Sequence, residues 1–224
     1  MPLEIGFLLF PRIQQLDLTG PYEVLASLQG TRCHLISKSR EPVISSTGFV
    51  LVPTETFETA PVLDVLCVPG GIGINALLED AETLDFVRRQ AAGARYVTSV
   101  CTGALVLGAA GLLRRKRATT HWNAFDLLAA FGAIPTKGRV VRDGNLITAG
   151  GVTAGIDFGL AIVAELASRA EAETIQLALE YAPAPPFEAG EPETAPPDVL
   201  AAAKARGAAS RAEREAIIAR LTPC

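Results

Sequence analysis

Residues 95–113, RYVTSVCTGALVLGAAGLL, pass from a β-rich run into a string of small and aliphatic residues, with a cysteine at the junction. Tyr96, Val97, Thr98 and Val100 suit an extended strand, and the segment from Gly103 onward suits a closely packed helix. Cys101 is therefore predicted to stand on a sharp strand-to-helix turn, with Ser99 and Gly103 as small neighbours that leave room for the backbone. The free N–H groups opening that helix would face the sulfur and favour its thiolate, so the sequence predicts a lowered thiol pKa.

Outward from this turn, short β-rich runs alternate with helix-like segments, the pattern of an α/β fold whose mostly parallel sheet is covered on both faces. Residues 5–10, IGFLLF, read as a strand buried on both sides, and TGPYEVLASL (19–28) as a helix capped by Gly20 with Pro21 in its first turn. Further strands are expected at 32–37 and 64–71, with a hairpin or meander over 42–53. A helix runs over 80–93, capped by Asp80 and stopped by Gly93. THWNAFDLLAAFG reads as a helix, RVVRDGNLITAGG as a hairpin around Asp143 and Gly144, and VTAGIDFGLAIVAELA as a buried helix, with another through AETIQLALEY. Six of the 15 residues from Pro183 to Pro197 are proline, so this stretch reads as an extended strap before an Ala-rich terminal helix.

With 49% hydrophobic and 20% charged residues over 224 positions, the chain is an ordinary globular protein. A net charge of −4 argues against nucleic acid as a partner. The longest apolar run, Ala104–Leu113, falls short of the roughly 18 residues a membrane-spanning helix needs. Glu4 stands where a secretory leader wants positive charge, which leads us to expect a cytoplasmic protein. Cys33, Cys67, Cys101 and Cys224 show neither zinc-ligand nor disulfide-framework spacing. Cys33 and Cys67 lie inside strands and read as small hydrophobes, and Cys224 as incidental.

Of the two histidines, His34 lies within a strand and reads as structural. His121 follows the Cys101 helix, but a Cys-His-acid triad is poorly supported. An acid is the better partner. In QQLDLTGP, Asp17 falls after the first strand and ahead of the expected cap, free for other work. Loops at the carboxyl ends of adjacent parallel strands converge on a crevice, and Asp17, the turn amides of Gly70 and Gly71, Cys101, and Gly150 with Gly151 all follow strand-like runs.

Four segments, DVLCVPGG (64–71), VTSVCTGALVLGAAGLL (97–113), RATTHW (117–122) and RVVRDGNLITAGGVTAGIDFGLAIVAEL (139–166), carry a resemblance to the DJ-1/PfpI superfamily of class I glutamine-amidotransferase-like folds. More narrowly, residues 5–28 and 176–196 are similar to the isocyanide hydratases of that superfamily, and the similarity covers nearly the whole chain. The segments VCTG and TTHW also occur in the amidotransferase-like half of AraC-type regulators.

The resemblance implies a homodimer with a flavodoxin-like three-layer sandwich over 1–182; the 183–224 tail, whose Phe187, Val199, Leu200, Ile217, Ile218 and Leu221 would otherwise stay exposed, is expected to pack across that dimer. The resemblance implies neither a metal nor an organic cofactor. By position it makes Cys101 the nucleophile, Asp17 the acid/base near its sulfur and Thr102 a site residue. Many DJ-1-like proteins carry Glu in the first loop and PfpI-like peptidases carry His after the cysteine; Asp17 and Thr102 depart from both. The implied substrate is a small-molecule isocyanide, hydrated to a formamide through a cysteine thioimidate, and an apolar pocket beside the thiol would raise the Asp17 pKa. The alternatives are a redox-sensing protein that oxidises Cys101 and a ligand-sensing regulator. The latter would need a DNA-binding half from the 58 residues after Leu166.

Overall fold

The computed structural model describes residues 2–222; Cys224 lies outside them. Seven strands form the central sheet. In chain order these are β1 (Leu3–Leu8), β2 (Thr31–Ser37), β5 (Glu55–Thr56), β6 (Val65–Val68), β7 (Tyr96–Val100), β10 (Val140–Asp143) and β11 (Leu146–Ala149). Their spatial order is β10-β11-β7-β6-β1-β2-β5, and every pairing is parallel except that of β10 with β11. The apolar runs of β6, β7 and β11 are buried at every position, as strands covered on both faces must be.

Two small sheets stand apart: the hairpin β3 (Val43–Ile44) with β4 (Val50–Leu51), and β8 (Arg117–Ala118) beside β9 (Ile134–Pro135). On one face of the central sheet α1 (Gln15–Ala26), α5 (Ala154–Leu166) and α6 (Arg169–Ala178) pack in series. The other helical layer holds α2 (Ile74–Leu77), α3 (Ala81–Gly93), α4 (Gly103–Ala109), a 3₁₀ helix (Trp122–Phe131) and the terminal helix α7 (Pro197–Leu221). The result is the expected three-layer α/β sandwich. No helix of the described residues is long and apolar enough to cross a membrane.

Three expectations change. Helix α1 starts at Gln15, so Gly20 and Pro21 lie inside it and Asp17 occupies its first turn. Pro21 has no N–H for the carbonyl of Asp17 four residues back, and the helix accepts the loss because the proline ring packs on α5. The segment after His121 forms a 3₁₀ helix, ended by Gly132 at φ 71°. Asp80 does precede α3, but its side chain accepts from the Thr83 hydroxyl at 2.7 Å.

The terminal helix is expected from the sequence to cover its apolar residues on a partner subunit, yet part of that face packs on its own. Ile217 and Ile218 are buried against this same subunit, where α7 packs on α2 and the 3₁₀ helix, whereas Phe187 stays 78% exposed.

Chain order sets the site. From β1 the chain passes to β2 on one side and then returns to β6 on the other, so the sheet has its topological switch point between β1 and β6. The position of α1 above that crevice depends on close contact with α5. A Cβ placed on Gly155 would lie 2.8 Å from Pro21 Cδ, and one on Gly159 would lie 2.9 Å from Val24 Cβ. Gly159→Val overpacks this seam and is expected to cost about 1–3 kcal/mol, read as a lower urea midpoint; an unchanged midpoint would show that the seam is looser than this.

Candidate active site

Cys101 holds φ at 55°, left-handed backbone that a non-glycine residue adopts at a cost of about 1–3 kcal/mol. Three hydrogen bonds fix it. Its N–H is shared between the carbonyls of Ala149 (3.1 Å) and Gly150 (2.8 Å), and its own carbonyl accepts from the Thr120 hydroxyl at 2.6 Å. The turn is pressed onto the end of β6. A Cβ on Gly103 would lie 2.0 Å from the Val68 carbonyl oxygen, so only glycine fits there. Cys101 thus lies between the end of β7 and the start of α4.

Asp17 is fully buried beneath it. Its Oδ2 accepts the Gly70 N–H at 2.9 Å, Oδ1 has no hydrogen-bond partner, and the carboxyl lies against the Cys101 thiol. Thr102 joins the same cluster, its Oγ1 accepting the Gly71 N–H at 3.1 Å. Asp17, Gly70, Gly71, Cys101 and Thr102 thus meet at the carboxyl ends of β1, β6 and β7.

Burial sets the acid–base character of this cluster. It raises the Asp17 pKa from 3.8 to about 7, as expected for a carboxyl in such a place, with the Cys101 thiol and the Gly70 amide pulling partly the other way. The expected fall in the Cys101 pKa does not occur. Burial first, and then the Asp17 charge, push the thiol well above its usual range, and the Thr102 N–H only partly offsets them. The start of α4 was legible in the sequence; the depth of burial was not. Below about pH 7 the pair holds both protons; as pH rises through about 7 Asp17 ionises, and the remaining proton rests on sulfur.

The thiol opens into a cavity of about 270 Å³ whose walls include Gly71, Thr102, His121, Ser210 and Arg214. His121 Nδ1 accepts the Asn123 N–H at 3.2 Å, which places the proton of the neutral ring on Nε2. Burial, followed by the charge of Arg214, lowers its pKa. Gly150 and Gly151 stand elsewhere: both line an adjoining groove of about 1270 Å³ that shares His121, Asn123 and Val152 with the thiol cavity. Gly150 still serves Cys101 through its carbonyl, whereas a Cβ on Gly151 would meet His121 Cδ2 at 3.0 Å.

Sequence reasoning missed the contribution of α7. Gly207, Ser210 and Arg214 recur at i, i+3 and i+7, one face of a helix, and that face closes the cavity. Cys67 is buried inside β6 and Cys33 half-buried inside β2, with both thiols raised to about 12 by burial. His34 lies 2.6 Å from Glu4 Oε2, which sits near the start of β1 and away from the cluster. Among the described residues no group of three or more His, Cys, Asp or Glu is placed to hold a metal ion.

A buried acid–thiol pair at the switch point of a flavodoxin-like sheet defines a class, and residues 4–165 match the model of the DJ-1/PfpI family. The chain belongs to that family. It is 65% identical over 210 residues to an isonitrile hydratase of Pseudomonas putida, covering 94% of this chain and 92% of the relative. A ThiJ/PfpI family protein from Pseudomonas syringae, solved as a crystal structure, superposes with a TM-score of 0.94 at 48% identity, covering 97% of this chain and 91% of that one. The HTH-type transcriptional regulator GbdR of Pseudomonas aeruginosa is 31% identical over 170 residues, covering 72% of this chain and 46% of the regulator.

The raised Asp17 pKa predicts a pH-dependent stability. A carboxyl that binds its proton more tightly when folded stabilises the fold fully below about 3.8, and the contribution is lost as pH rises through about 7. Asp17→Asn removes the loss, so its melting temperature relative to the parent protein is expected to climb between pH 5 and pH 8. A constant difference across that range would contradict the raised pKa.

Proposed function

We propose that the chain hydrates isocyanides, R–N≡C, to N-substituted formamides, with Cys101 as nucleophile and Asp17 as proton carrier. The observation that carries this reading is the buried Asp17 carboxyl against the Cys101 thiol; likeness to an isonitrile hydratase over nearly the full length supports it. The reaction needs one nucleophile and one group that moves protons to and from a single carbon.

In the first step Asp17 takes the thiol proton as Sγ attacks the terminal carbon. An S–C bond forms, and the carbon, now carbanionic, receives that proton from Asp17 to give the thioimidate R–N=CH–S. Asp17, again a carboxylate, then takes a proton from water as the water oxygen adds to the same carbon, and passes it to nitrogen. Collapse of the resulting R–NH–CH(OH)–S adduct breaks the S–C bond and returns the hydroxyl proton to sulfur through Asp17. The products are R–NH–CHO and the free thiol, so one water is consumed per isocyanide. Thr102 orients the Gly71 amide beside this chemistry, and Gly70 holds one Asp17 oxygen while leaving Oδ1 for the proton.

A sensor built on an oxidisable thiol wants an exposed thiolate. Cys101 is only 5% exposed and its pKa is pushed up, which favours the enzyme. The residues after Leu166 form α6, the strap and an α7 that closes over the thiol cavity, an arrangement suited to a catalytic cover. A cytoplasmic homodimer goes with this reading, because a reducing compartment keeps Cys101 free and the exposed Phe187 of the strap suits a two-fold contact.

Added alkyl or aryl isocyanides should lose their infrared band and yield the formamide, with Cys101→Ala inactive yet folded. Because the reactive form holds one proton on the pair, kcat/KM should rise as pH passes through about 7, where Asp17 becomes able to accept the thiol proton. Normal turnover by Cys101→Ala, or a rate that falls through about pH 7, would overturn the mechanism.

A further inference from the structure

Arg214 is 5% exposed, and its environment is unusual for a buried cation. Its Nε donates to Asn75 Oδ1 at 3.0 Å, and a terminal nitrogen lies 3.4 Å from the Ser210 hydroxyl. Asn75 is itself buried and fixed by donating to the Ser210 carbonyl (3.0 Å) and to Glu213 Oε2 (2.7 Å). The guanidinium is thus held in place by neutral groups.

The charges around it are engaged elsewhere. Arg211 pairs with Asp126 and Glu215, Arg220 pairs with Glu79, and Glu213 serves Asn75. Among the described residues no carboxylate lies within ion-pairing distance of Arg214. His121, the other titratable group on this side of the cavity, is held toward its neutral form. Across the same cavity stands Cys101. A buried cation without an ion-paired anion is costly; Glu213 and Glu215 on its own helix act on it only from a distance, and the negative charge of the Cys101–Asp17 pair lies across the cavity.

We propose that Arg214 is a positioning residue that supplies the counter-charge for the Cys101–Asp17 pair, so that the C-terminal helix completes the reactive site. Its consequence for turnover rests on the isocyanide hydration proposed above; its effect on the thiol does not. Without this charge the pair holds its extra proton to higher pH, and Cys101 is less able to act as a nucleophile at neutrality. The geometry also accounts for the Gly207, Ser210, Arg214 face of α7, in which two small residues let the third reach the cavity.

The test compares Arg214→Met and Arg214→Lys in the full chain. Iodoacetamide modification of Cys101 is followed by mass spectrometry as a function of pH, beside melting temperature and isocyanide kinetics. In Arg214→Met the alkylation midpoint is expected to move up by about one pH unit, which is about tenfold slower modification at pH 7. Arg214→Lys should restore most of that shift, and kcat should fall more than KM in the methionine variant. If Arg214→Met does not fold, Arg214→Gln, which keeps a donor for Asn75, takes its place in the same comparison. Equal midpoints in folded variants, or a lysine variant displaced as far as the uncharged one, overturn the proposal. A midpoint shift in a protein that turns over no isocyanide would sustain the counter-charge and sink the isocyanide reading instead.

Discussion

A thiol and a carboxyl buried side by side share one negative charge, because a second would face both desolvation and its neighbour's field. That constraint governs the site. It lifts Asp17 to about 7, lifts Cys101 further, and leaves the single proton able to move between oxygen and sulfur. A group poised in this way can act as base in one step and acid in the next without an outside proton source. An isolated thiolate would be the stronger nucleophile, but it would leave the carbon it attacks without a proton.

The architecture holds that pair together at some energetic cost. Cys101 takes a left-handed backbone, Gly103 must lack a side chain against β6, and Asp17 is carried by a helix whose placement depends on the Pro21–Gly155 and Val24–Gly159 contacts with α5. These features belong to different elements, yet all bear on the few ångströms around Sγ. The parallel sheet brings them together, since the carboxyl ends of β1, β6 and β7 are neighbours at the switch point. The last helix then closes the crevice and adds a cation, so the site spans nearly the whole chain.

Much of this was legible in the residues. The β-to-small-residue transition at Cys101, the Gly-Gly turn after β6 and the alternation of strands and helices each reflect local rules that tertiary packing reinforced. Asp17 was recognisable as an acid after the first strand, although the helix began earlier than Gly20 suggested, because a proline packed on α5 is tolerated within it. The sign of the thiol pKa was not legible, since it depends on burial that no local pattern encodes. Arg214 was hidden for a related reason: it lies far from Cys101 in sequence within an Ala-rich helix, and only the spacing of Gly207, Ser210 and Arg214 hinted at a face turned inward.

One variant, Asp17→Asn, keeps the shape of the carboxyl and removes its exchangeable acidity. Isocyanide turnover should fall by about a hundredfold or more, while Cys101 stays alkylatable at alkaline pH because the turn that presents it does not depend on Asp17. Turnover close to that of the parent protein would remove Asp17 from the chemistry, and a parallel loss of turnover and alkylation would reduce it to a residue that merely holds the thiol in place.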